Sequence, residues 1–234
     1  MLEKNEIIQA ALRNLKIEEL NPMQEASLEQ ATGRKDVILL SPTGSGKTLA
    51  YLLPLLLTLK PSDDSVQVLI LVPSRELALQ IDSVFKAMGT SWKTCCCYGG
   101  HPIAEEKKSI VGNHPAIIIG TPGRITDHLS KGNFNPETIE TLIIDEFDKS
   151  LEFGFHDEMA EIITQLPGLK KRILLSATDA EEIPEFTGLN RTVKLDFLSD
   201  ASEEQESRLK LMKVLSPSKD KIDTLYNLLC TLGS

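Results

Sequence analysis

The chain has 234 residues, 41% of them hydrophobic and 25% charged, with a formal net charge of −9. That balance excludes a disordered polyelectrolyte, and no apolar run approaches the ~20 residues a membrane-spanning helix needs. The opening "MLEKNEIIQAALRN" has no secretory h-region, so a cytoplasmic setting is expected.

The acidic total lowers the expectation of a nucleic-acid partner without removing it, because a phosphate backbone responds to local patches. In chain order, apolar and β-branched runs fall at 36–41, 66–72, 94–98, 116–120, 141–145, 172–176 and 192–197. Helical periodicity fills most of the gaps, as at 76–88 and 156–166. Several runs ("VLILV", "AIIIG", "LIID", "RILLS") are apolar on both faces, as central strands of a covered parallel sheet are. The pattern predicts a doubly wound α/β domain, a mostly parallel sheet with helices on both faces.

Three adjacent cysteines in "KTCCCYGG" put Cys95 and Cys97 on one face of a strand and Cys96 on the other. Their spacing fits neither a disulfide framework nor a C-x-x-C metal knuckle, and His101 and His114 do not complete one. A core strand is expected. The tail behaves differently: a polar stretch leads to "IDTLYNLLCTLGS", an amphipathic helix with no core of its own. Residues 199–234 are expected to be a linker plus the truncated opening of a second domain.

Ligands of doubly wound sheets bind beyond the carboxyl ends of the strands. Six polar clusters fall there: "SPTGSGKT", "PSRELALQ", "GGH", "TPGR", "DEFD" and "SAT". The first has the form of a P-loop between strand and helix. Gly44 and Gly46 let backbone amides turn toward a phosphate, and the helix start adds the positive end of its dipole. Lys47 would reach the β- and γ-phosphates, and Thr48 would offer a hydroxyl to Mg²⁺. Ser41 stands where the strict pattern has glycine.

Asp145, Glu146 and Asp148 crowd three carboxylates into four positions, which calls for a cation. Beside a P-loop, Asp145 suits the acidic partner of Mg²⁺. Mg²⁺ keeps several waters, so one or two carboxylates suffice. Glu146 could then deprotonate the water that attacks the γ-phosphate. The expected cofactors are ATP and Mg²⁺.

Together with "PMQ" ending at Gln24, these ordered motifs resemble the N-terminal RecA-like domain of a DEAD-box RNA helicase. The resemblance spans nearly all of residues 7–198, makes residues 1–198 the expected RecA-like ATP-binding helicase domain, and implies a role for each motif residue. Gln24 would read the adenine edge, while Thr43, Gly44, Ser45, Gly46, Lys47 and Thr48 would hold the nucleotide. Thr48 and Asp145 would hold Mg²⁺, partly through water, with Glu146, Asp145 and Lys47 as the catalytic set. Asp148, Ser176 and Thr178 would couple nucleotide state to RNA strain. Pro73, Ser74, Arg75, Gly99, Gly100, Thr121, Pro122, Gly123 and Arg124 would line the RNA track. There glycines allow close backbone approach and arginines can pair with phosphates, positioning a strand without reading its sequence. For the arginines the alternative is a structural salt bridge. RNA is the implied partner, with no membrane and a monomeric state.

The chain departs from the family pattern in places. Phe147 replaces Ala, Ser74 replaces Thr, Leu20 and Ile17 stand where Pro and Phe are usual, and the segment after "SAT" is short. Nothing resembles the arginine fingers of the family's second domain, so these 234 residues alone are expected to hydrolyse ATP barely. A related superfamily 2 DNA helicase and an ATP-gated RNA clamp with little turnover are the other readings.

Overall fold

A computed structural model describes residues 2–33, 35–60, 65–179, 183–198, 213–217 and 219–232. Helices α1 (Leu2–Leu15) and α2 (Pro22–Glu29) lead into β1 (Val37–Leu40) and α3 (Lys47–Thr58). Strand and helix then alternate: β2 (Val68–Leu71), α4 (Arg75–Ala87), β3 (Thr94–Cys97), α5 (Ile103–Asn113), β4 (Ile117–Gly120) and α6 (Pro122–Ser130). They are followed by β5 (Thr141–Ile144), α7 (Phe147–Glu152), α8 (His156–Thr164), β6 (Lys171–Ser176) and β7 (Val193–Asp196). All seven expected runs are strands of one sheet, ordered β3-β4-β2-β5-β6-β1-β7. Every strand pair is parallel, where the sequence predicted only a mostly parallel sheet.

Alternating strand residues feed two cores, one on each face of the sheet. Val37, Leu39, Val68, Ile70, Ile143 and Leu175 pack with residues of α1 to α4. Leu69, Leu71, Leu142, Ile144 and Leu174 pack on the other face with residues of α5 to α8. The cysteines follow the same rule: Cys95 and Cys97 enter the second core, while Cys96 packs against the first.

Except for β6, which starts one residue before its run, the strands are slightly shorter than the apolar runs, and polar residues at some of their ends have other work. Asp36, expected inside β1, precedes it; its carboxylate accepts from the backbone N–H groups of Arg172 and Asn190, both at 2.7 Å. At the other end of β5, the Asp145 N–H donates to the Leu71 carbonyl at 3.0 Å. The chain then turns at Glu146, with φ 49 and ψ 52, and starts α7.

Two compact units divide the chain, Met1–Ala201 and Ser202–Ser234. The second includes α9 (Ile222–Leu232), on which Ile222, Leu225, Tyr226 and Leu229 are exposed. Residues 199–212 of the expected linker lie outside the described residues. No helix among the described residues is long and apolar enough to cross a membrane.

Candidate nucleotide and nucleic-acid site

The β1–α3 turn carries the P-loop. Gly44 and Gly46 take φ of 82 and 92, values that a side chain would strain. Inside the turn, the Ser41 hydroxyl donates to Ser45 Oγ at 2.6 Å, and Ser45 Oγ donates to the Pro42 carbonyl at 2.8 Å. Lys47 Nζ donates to the carbonyls of Ser41 at 2.5 Å and Pro42 at 3.0 Å. Burial lowers the Lys47 pKa, against the pull of Asp145, Asp148 and Glu146. All three acids lie within electrostatic range of the ammonium. Thr43 and Gly44 are exposed at the tip.

The helix before β1 braces the loop. Asn21 caps α2, its side chain accepting from the Gln24 N–H at 2.9 Å while Gln24 Oε1 accepts from the Asn21 N–H at 3.1 Å. This reciprocal pair is a capping box. The remaining donors point at the P-loop: Asn21 Nδ2 to the Ser45 carbonyl at 3.0 Å, and Gln24 Nε2 to the Gly46 carbonyl at 3.3 Å. Gln24 is only 6% exposed. Its amide ties the α2 start to the glycine turn, in addition to any contact with a base.

Opposite the loop, the Asp145 carboxylate is 3% exposed. Oδ1 accepts from the Glu146 N–H at 2.9 Å and Oδ2 from the Tyr51 hydroxyl at 3.0 Å. Burial pushes its pKa up to about 6, opposed by the two hydrogen bonds and by Lys47. Glu146 sits in the left-handed region, a strained conformation for a residue with a Cβ and one that clusters at functional sites. Thr178 Oγ1 donates to Asp148 Oδ2 at 3.0 Å, joining the "SAT" and "DEFD" stretches. Ser176 Oγ accepts from the Thr178 N–H at 3.1 Å and donates to its carbonyl at 2.6 Å. Asp148 Oδ1 is buried with no hydrogen-bond partner among the described residues. The unpartnered Asp148 oxygen, the buried Asp145 carboxylate and the Thr48 hydroxyl are hard oxygen donors of the kind Mg²⁺ takes. These residues fit the group.

The other motif clusters lie at the carboxyl ends of β2, β3 and β4. Ser74 caps α4, accepting from the Leu77 N–H at 3.2 Å. Exposed Arg75, the first residue of α4, lies over the Tyr98 ring at 5.0 Å. Gly99, Gly100 and Gly123 are exposed, whereas Pro73 and Pro122 are buried and Thr121 is half-buried. Arg124 turns inward. Its Nε donates to the Tyr98 carbonyl at 3.1 Å and its NH2 to the His101 carbonyl at 2.7 Å. In this structure its guanidinium braces the "GG" turn against the "TPGR" turn.

A buried carboxylate completes that brace. Glu106 Oε1 accepts from the Tyr98 N–H at 2.8 Å and faces His101 Nε2 at 2.9 Å. Its Oε2 meets His128 Nε2 at 2.6 Å and Arg124 Nε at 3.5 Å. Asn133 Nδ2 lies 3.0 Å from His128 Nδ1. Candidate ligand atoms of Cys97, Glu106 and His128 stand within 4.8 Å of one another, all three residues buried. Four neighbouring groups already meet the Glu106 oxygens, so Glu106 and His128 belong to a hydrogen-bonded network with Cys97 beside it.

The DEAD/DEAH box helicase family model matches residues 21–186. The chain belongs to that family. It is 34% identical over 181 residues to the ATP-dependent RNA helicase CshA of Listeria monocytogenes, covering 76% of this chain and 35% of the relative. Among solved structures, a hypothetical ATP-dependent RNA helicase from Sulfolobus tokodaii aligns at TM-score 0.75 and 28% identity. That match covers 96% of this chain and 72% of the other. The DEAD-box helicase Mss116, bound to ssRNA and UDP-BeF, aligns at TM-score 0.72 and 27% identity, covering 81% and 42%. The chain thus spans about a third of the Listeria relative's length.

For this DEAD-box domain, motif reading passed over residues that hold the motifs in place. Tyr51 lies four positions after Lys47, one helical turn away, and so projects beside the P-loop. Glu106 occupies an apolar stripe of α5 with Ile103 and Ile110, at i+3 and i+7. A charge inside such a stripe signals a buried polar contact. Asn21 was legible as an N-cap before Pro22. Tyr98 gave no sequence signal beyond its place at a strand end.

Proposed function

We propose that residues 1–198 form the ATP- and RNA-binding RecA-like half of an ATP-dependent RNA helicase that unwinds short duplexes locally. Residues 199–234 are, on this reading, a linker and the opening of a second RecA-like domain. The observation that carries the proposal is the convergence of Lys47, Asp145, Glu146 and the Thr178–Asp148 hydrogen bond at one rim of the sheet. The RNA-bound state of Mss116 and the names of the relatives support the choice of partner.

In this reading Gln24 contacts the adenine edge, and the amides of Thr43–Thr48 cradle the phosphates with Lys47 neutralising them. Thr48 and Asp145 would hold Mg²⁺, in part through its waters. When bound, that ion would supply neutralisation of the phosphate charge. Glu146 orients the attacking water and takes its proton at the carboxylate. The Thr178–Asp148 bond transmits the result to the RNA side. RNA phosphates meet exposed Arg75 and the backbone of Gly99, Gly100, Thr121 and Gly123, while Pro73, Ser74 and Pro122 shape those turns and Arg124 braces them. Such contacts grip backbone rather than sequence. The protein is read as a cytoplasmic monomer, which size-exclusion and fractionation would check.

The test is unwinding of a short RNA duplex by the complete protein and its Glu146→Gln variant. ATP-dependent unwinding that the substitution abolishes is the expected result. A variant that retains full function in cells would instead favour an ATP-gated clamp.

A further inference from the structure

Tyr51 stands at an unusual position: a phenol 1% exposed inside α3, bonded to a carboxylate ninety-four residues away. Its ring packs in the first core among the leucines of α3 and β1. Only its oxygen is polar, and that oxygen points toward the cradle. It donates to Asp145 Oδ2 at 3.0 Å, while Asp145 Oδ1 accepts from the Glu146 N–H. The Thr48 hydroxyl is close enough to the same phenol oxygen to interact with it. Tyr51 thus lies between the two residues assigned to the cation, Thr48 and Asp145.

We propose that Tyr51 is a positioning residue of the nucleotide site, its phenol fixing the Asp145 carboxylate in the orientation that meets Mg²⁺. The inference rests on the nucleotide reading above. A carboxylate held at only one oxygen can swing about its last torsion, which is broad and soft. Two donors, one on each oxygen, remove that freedom and leave the outer lone pairs aimed at the cleft. A phenol is protonated at neutral pH, so Tyr51 is the donor in this pair. Outer partners of this kind typically govern cation affinity by about 10–100-fold.

Tyr51→Phe removes the hydroxyl and keeps the ring, so the core stays filled. The experiment follows binding of a fluorescent ADP analogue to the 234-residue chain, first in EDTA and then across an Mg²⁺ titration. Thermal unfolding of the ligand-free proteins runs in parallel. The expected result is an unchanged affinity in EDTA and a half-saturating Mg²⁺ concentration about 10-fold higher in the variant. In an Asp145→Asn background, the same change should add nothing. Superimposable Mg²⁺ titrations, or an equal loss with and without Mg²⁺, would overturn the inference and leave Tyr51 a packing residue. Absence of nucleotide binding by the wild-type chain would overturn the nucleotide reading and the inference together, a failure distinct from the other two.

Discussion

The nucleotide cradle and the RNA-side rim sit at the carboxyl ends of strands in one sheet, yet they are held by different kinds of residue. In the cradle many motif residues hold one another, Ser41 with Ser45, Lys47 with the loop carbonyls and Thr178 with Asp148, and Asn21 and Tyr51 add single hydrogen bonds from outside. At the rim the support comes from outside the motifs, from Glu106 and His128, and one motif residue, Arg124, is itself spent on bracing. A loop that must wrap a compact phosphate can be built from short local bonds. Three turns proposed to share one extended strand would need a common anchor, and a buried carboxylate with several acceptor sites is placed to supply it.

The largest expected effect would sharpen the contrast from the cradle side. Glu146→Gln should lower ATP hydrolysis by the complete protein about 10²–10⁴-fold while leaving nucleotide binding intact, as steady-state kinetics and titration would show. At the rim, Glu106→Ala leaves His128 and Arg124 facing a buried gap and should cost about 3–5 kcal/mol in urea unfolding. It should also weaken RNA binding without touching ADP affinity; an equal loss of both would erase the distinction between the two regions. Phe147→Ala tests a motif residue whose job is packing. The ring is 2% exposed in the second core, and its loss should cost about 3–5 kcal/mol, less where the site collapses.

Smaller effects follow at the surface and in β3. Arg75→Ala should weaken ssRNA binding uniformly across sequences and reduce its salt slope by about 1, measured by titration at several ionic strengths. The cysteines give the smallest signal. Burial first, then the charge of Asp82, pushes the Cys96 thiol from 9.0 up to about 12. Its raised folded value means a contribution that is fully present below pH 9 and lost as pH rises toward 12. Cys96→Ala should therefore flatten the alkaline loss of stability, and alkylation should label exposed Cys230 before Cys96.

Much of this architecture was legible from spacing. The two-sided apolar runs announced a covered parallel sheet, and the polar clusters after them announced its functional rim. The strand ends were less legible, because Asp36 and Asp145 look like terminal ladder residues until their carboxylates find partners far away in sequence. Arg124 was only partly legible for the same reason: spacing points to a phosphate ligand and does not show that its guanidinium holds the carbonyls of Tyr98 and His101. Tyr51 and Glu106 act through contacts ninety-four and twenty-two residues away, which no local pattern encodes. Phe147, in place of the family's Ala, has its account in packing: its ring lies against the second core beneath the motif.

The most direct measurement is ATP hydrolysis by the complete protein with single-stranded RNA, with single-stranded DNA of the same sequence, and with neither. Cradle and rim acting as one site predict turnover stimulated by RNA alone. Equal stimulation by DNA, or a rate indifferent to both, would contradict that account.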